Sequence, residues 1–138
     1  MLNNIKVNTL NFIFKDLIEN MKEIEIIQPD DWHVHFRDKE ILQAVVPETT
    51  RHFGRSIVMP NLLPPILSAK AAIEYKKTIQ KAIPKDNDFT PLMTIYITEN
   101  TDKNKLKAAY LDGHVFAVKL YPAGATTNSD SGVKDINK

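Results

Sequence analysis

The alternation of short β-rich runs with longer segments of helical periodicity constrains this chain most. IEIIQ (24–28), RSIVMP (55–60), TPLMTIYIT (90–98) and HVFAVKLYP (114–122) are rich in Ile, Val, Thr and Tyr, and two of them stop at a proline. Between them, 39–53, 68–83 and 101–112 carry helix signals. In the second of these, Ala69, Ala72, Ile73, Ile79 and Ile83 fall near one helical face, behind Ser68 as N-cap. The third opens at Thr101 or Asp102 and stops at Gly113, a natural residue just past a helix end. In the first, Pro47 predicts a break or the start of a second turn. The order βαβαβαβ predicts a parallel sheet with right-handed crossovers. Four strands and three helices make either a small domain with both sheet edges open or the N-terminal portion of a (β/α)8 TIM barrel, a fold of about 250 residues. At 138 residues the chain holds about half of such a barrel. The second reading gains once the chemistry is mapped.

Composition removes several classes of function. Cysteine is absent, so a bound metal would need nitrogen and oxygen ligands. A net charge of +1, with acids and bases interspersed, leaves no basic stripe for a nucleic acid. No apolar run reaches membrane-spanning length, so no membrane partner is expected and the location expected is cytoplasmic. Residues 1–20 lack the pattern of a signal or transit peptide and read as an N-terminal extension ahead of Met21, or as a short amphipathic helix. The barrel portion is then 21–138.

Parallel α/β folds bind ligands beyond the carboxyl ends of their strands. Those ends carry His33, His35 and Arg37, then Asn61, Thr98 and Lys119. The stretch 28-QPDDWHVHFRD-38 holds two of the four histidines and the one Trp. Alternation puts His33, His35 and Arg37 on one face, and Trp32, Val34 and Phe36 on the opposite, helix-covered side. Two neutral imidazoles on one face suit zinc, with Asp30 and Asp31 near enough to orient the rings. The blander reading is the polar face of a surface strand, and a bare His-x-His favours it. Lys119 points inward and is either paired, snorkelling, neutralised by burial or carboxylated; the sequence leaves these open. Arg37 has the planar fork for a substrate carboxylate, and Asn61 adds an amide. His52 reads as a helix-end residue and His114 as structural.

The segments 29-PDDWHVHFRD-38, 57-IVMPNLLPP-65, 89-FTPLMTIYIT-98 and 118-VKLYPAGATTNS-129 together resemble the bacterial-type dihydroorotases of the amidohydrolase superfamily. The resemblance covers Met21 to about Val133, with the motifs in order. It implies a barrel with a binuclear zinc centre that interconverts N-carbamoyl-L-aspartate and L-dihydroorotate in pyrimidine biosynthesis, acting as a homodimer at full length. By that resemblance His33 and His35 are zinc ligands and Lys119 is the carboxylated, metal-bridging lysine. Arg37 and Asn61 correspond to substrate-carboxylate contacts, and Thr126 and Thr127 to a loop over the ligand. Lys39 departs from a position where the family usually has a small residue, and Gly124 replaces a common Asn. The family takes two further histidines and its acid/base aspartate from later strands. These residues alone are therefore expected to be inactive, and poorly soluble through open edge strands. The alternatives are another His-x-His metal-dependent cyclic amidase or phosphoesterase, and a non-catalytic remnant or interaction module.

Overall fold

A computed structural model describes residues 25–137. Its elements are β1 (Asp30–Val34), α1 (Lys39–His52), β2 (Arg55–Val58), α2 (Ala69–Ala82), β3 (Thr90–Tyr96), α3 (Lys103–Leu111) and β4 (Ala117–Lys119). The strands pair in the order β1-β2-β3-β4, every pair parallel. Four parallel strands with three helices form a half-barrel, as the alternation predicts. The predicted extension (1–20), the start at Met21 and the first residue of the 24–28 run lie outside the described residues.

The core lies between the sheet and its helices. Val34 and Phe36, Val58, Met93 and Ile95 meet Leu42 and Val46 of α1 and Ala72 and Ile79 of α2. Phe36 packs edge-on against Phe89, with ring centroids 6.1 Å apart. Burying one side chain of this size contributes about 1.5–3 kcal/mol. The parallel register matches Val34 with Val58 and Val58 with Met93, so β1, β2 and β3 present core residues at one level.

Local chemistry sets the helix limits. The Ser68 hydroxyl accepts the Ala71 N–H, and the Asp102 carboxylate accepts the N–H groups of Asn104 and Lys105. Gly113, at φ +72°, ends α3 in the left-handed conformation that glycine adopts freely. The approach to α1 is less relaxed. Arg37 and Lys39 have φ of +58° and +48° without being glycine. A left-handed backbone at this position favours glycine over a residue with a Cβ.

Four expectations need correction. The apolar run at 25–28 pairs with no strand among the described residues, and Ile26 and Ile27 are exposed. The first strand instead starts at Asp30, because β2 starts opposite it at Arg55 and the Gly54 N–H already binds the Pro29 carbonyl. α1 runs unbroken through Pro47. Leu42, Val46 and Thr50, four residues apart, anchor both halves on one buried face, and packing outweighs the one lost backbone bond. β4 is only three residues long, since His114 and Val115 give their N–H groups to the Ala109 carbonyl at the end of α3. Trp32 is 62% exposed on the edge strand, not covered by a helix.

The opposite edge also exposes apolar surface, at Phe116, Val118 and Leu120. No helix among the described residues is long and apolar enough to cross a membrane.

Replacing Lys39 by Gly relieves a left-handed backbone and is expected to raise stability by about 0.5–1 kcal/mol in urea unfolding. Two backbone N–H groups hold Asp102 below the ordinary carboxylate value of 3.8. A lowered folded-state pKa contributes stability above 3.8 that is lost as pH falls through the folded value. Asp102→Ala should therefore lower the urea midpoint at pH 7 and converge on the parent as the pH drops below that range.

Candidate metal-binding site

The described residues bring the predicted site together at the carboxyl rim of the sheet. His33 lies in β1 and His35 just beyond it, and their Nε2 atoms converge to 3.2 Å with the rings tilted by 53°. Burial, followed by the charges of Arg37 and Lys119 and then the His33 ring, lowers His35 to about 4. At neutral pH that imidazole is uncharged and keeps a lone pair for a ligand. Two nitrogens each about 2.0–2.1 Å from one zinc, at a near-tetrahedral angle of about 100°, sit about 3.2 Å apart. The pair fits a shared metal.

Asp30 and Asp31 are not the orienting carboxylates. Asp30 pairs with the Arg55 guanidinium across the β1–β2 ladder, and Asp31 accepts the His33 backbone N–H at 2.9 Å. Asp30 is thus committed to an ion pair and Asp31 to a backbone N–H, and neither hydrogen-bonds an imidazole nitrogen. Among the described residues, no three of His, Cys, Asp and Glu gather as a metal-ligand set.

Lys119, at the end of β4, is 8% exposed, with Nζ 5.1 Å from the centroid of the Tyr121 ring. Among the described residues no carboxylate pairs with it; burial first, and then the Arg37 charge, pull it below the ordinary lysine range. Both effects disfavour the charged form of the amine.

Arg37 is reached through the left-handed turn after β1, since strand geometry ends at Val34. Its Nη1 donates to the Asn61 carbonyl at 3.3 Å. The same carbonyl accepts the Asn128 Nδ2 at 3.3 Å, joining the loops after β1, β2 and β4 at one atom. The Asn61 side chain is buried at 1% exposure, and neither its Nδ2 nor its Oδ1 has a partner. Buried amides are normally satisfied, so this unpartnered pair of atoms costs the fold stability.

Thr126 and Thr127 are exposed on the loop after β4. That loop is pinned by Ser129, whose hydroxyl accepts the Thr126 N–H and donates to the Thr126 carbonyl. Gly132 fits tightly there, since an added Cβ would lie 2.5 Å from the Tyr121 carbonyl. Gly124 has φ +74°, which suits the Gly or Asn found at such positions. Thr98 takes no part in the cluster: its N–H binds the Thr101 hydroxyl ahead of α3. His52 lies in the last turn of α1, and His114 is exposed after α3. A cleft of about 840 Å³ opens between α2, α3 and residues 130–134; Thr98 and Gly132 line it, but His33, His35, Arg37, Asn61 and Lys119 do not.

Sequence reasoning did not find Asn128, Tyr121 or Tyr75. Asn128 sits in a threonine-asparagine turn at φ +56°, a conformation asparagine tolerates, and that was the readable signal. Because Asn61 leaves two buried polar atoms unpaired, Asn61→Leu is expected to stabilise the chain by about 1–3 kcal/mol. Chemical unfolding decides; a lowered midpoint would mean that the amide serves the fold.

No family model matches the chain. It is 56% identical over 115 residues to the dihydroorotase of Jannaschia sp. (strain CCS1), covering 83% of this chain and 33% of that protein. A crystal structure of Saccharomyces cerevisiae dihydroorotase in complex with 5-fluoroorotic acid superposes with a TM-score of 0.74 at 38% identity, over 82% of this chain and 30% of that one. The Campylobacter jejuni dihydroorotase gives 0.71 at 38% identity, over 83% and 35%. The chain spans about a third of the length of the curated relatives it matches.

Proposed function

We propose that this chain, homologous to the dihydroorotases and corresponding to the N-terminal part of their barrel, supplies half of a zinc site for the reversible cyclisation of N-carbamoyl-L-aspartate to L-dihydroorotate. One observation carries the reading: the converging His33 and His35 nitrogens share a rim with an unpaired Lys119, with Arg37 and with an unsatisfied Asn61. A plain surface strand would not gather these groups around one point. The relative crystallised with 5-fluoroorotic acid holds a ligand of the class that Arg37 and Asn61 suit.

In this reading His33 and His35 hold zinc through Nε2. When bound, zinc polarises an amide carbonyl and acidifies a coordinated water towards neutrality. The Lys119 amine, depressed in pKa, adds to carbon dioxide: an N–C bond forms, a proton leaves the nitrogen, and a carbamate anion results. That anion brings two oxygen ligands to a site that otherwise collects positive charge. Arg37 meets the substrate carboxylate with its fork, and Asn61 offers an amide N–H and carbonyl. The loop bearing Thr126 and Thr127 covers the bound molecule and limits access of water. The remaining metal ligands and the acid/base carboxylate belong to later strands of the barrel, and the complete enzyme is read as a cytoplasmic homodimer.

Zinc affinity measured against a competing chromophoric chelator tests this. His33→Ala and His35→Ala should each weaken binding at least about tenfold. Equal affinity in parent and both variants would refute the site. A polypeptide of residues 1–138 alone is expected to turn over no L-dihydroorotate in an ultraviolet assay, with host enzyme excluded; measurable turnover would show that these residues suffice.

A further inference from the structure

We infer that Tyr75 is the positioning residue that holds Arg37 for carboxylate binding, an inference that rests on the role proposed for Arg37. The Tyr75 hydroxyl, on α2, donates to the Arg37 backbone carbonyl at 2.6 Å across 38 positions of sequence. The phenol is buried, at 6% exposure. Burial, reinforced by the negative charge of Asp38, pushes its pKa well above the usual tyrosine value, so the proton stays available for donation.

The segment it grips is one the backbone does not favour. Arg37 and Lys39 are both left-handed, with Asp38 fully extended between them at φ −139° and ψ 178°. Left-handed backbone is disfavoured for residues with a Cβ and persists where surrounding contacts over-determine it. Arg37 is tied at both ends: Tyr75 holds its carbonyl, and its guanidinium reaches the Asn61 carbonyl. A buried phenol needs some acceptor, and many carbonyls would serve. The one chosen belongs to the residue whose head group faces the site. Tyr75 packs in the core with Ala72 and Ile79, so its anchor point is rigid. A long, flexible arginine side chain is thereby mounted on a fixed base, which lowers the ordering cost of a bidentate contact.

Limited tryptic digestion of the full chain, with Tyr75→Phe compared to the parent, reads this directly. Phenylalanine keeps the buried ring and removes only the hydroxyl. Cleavage after Arg37 or Lys39 should accelerate about two- to tenfold, in line with loss of one hydrogen bond that holds the turn closed. Cleavage after Lys103 and Lys107 in α3 should stay within about twofold. N-carbamoyl-L-aspartate should protect the Arg37 bond in the parent and require a higher concentration in Tyr75→Phe. An unchanged rate at 37–39, or a rise shared equally with α3, overturns the assignment. Failure of N-carbamoyl-L-aspartate to protect even the parent, with Arg37→Ala also indifferent to it, would instead overturn the carboxylate role of Arg37, and with it the function assigned to the clamp.

Discussion

Four strands running in the same direction deliver their carboxyl ends to one rim, and everything proposed here depends on that. The ladder from β1 to β4 is parallel throughout, and it matches Val34, Val58 and Met93 at a single level. With that level fixed by the core, the residues that follow each strand emerge together. His35, Asn61 and Lys119 are far apart in sequence but close in space for this reason. A slip of one residue in any strand would exchange its core and rim faces. The apolar side chains that fix the register therefore also fix the site.

The rim is polar where the fold gains nothing from polarity. Asn61 is buried with two unpaired atoms, and Lys119 is nearly buried without an anionic partner. Arg37 adds a second positive charge, while the nearby acids are engaged elsewhere, Asp30 with Arg55 and Asp31 with backbone. Each of these arrangements costs stability by itself. Together they leave a rim of uncompensated positive charge, which is the ground for the carbamate on Lys119 and the substrate carboxylate at Arg37 proposed above.

Much of this was legible in the sequence, because it followed from period and punctuation. The alternation that buries Val34 and Phe36 also turns His33 and His35 the other way, and Ser68, Asp102 and Gly113 mark helix limits by their own chemistry. The misses share a different cause. Ile24 to Gln28 looks like a strand in isolation, yet the described β2 starts only opposite Asp30, so local propensity finds no partner there. Pro47 should interrupt a helix, but the buried stripe of Leu42, Val46 and Thr50 decides otherwise. The exposure of Trp32 depends on what lies beyond β1, which its own residue type does not encode. Tyr75 reaches Arg37 only after α2 has docked, and no spacing rule foretells a contact between a helix and a distant turn.

X-ray absorption at the zinc edge of the zinc-loaded chain tests the central claim most directly, because it reports the ligands themselves. Nitrogen and oxygen scatterers at about 2.0–2.1 Å, with the outer-shell pattern of two imidazoles, are the predicted result. A shell of oxygen alone, or the signature of a single imidazole, would contradict it and return His33 and His35 to the polar face of an ordinary strand.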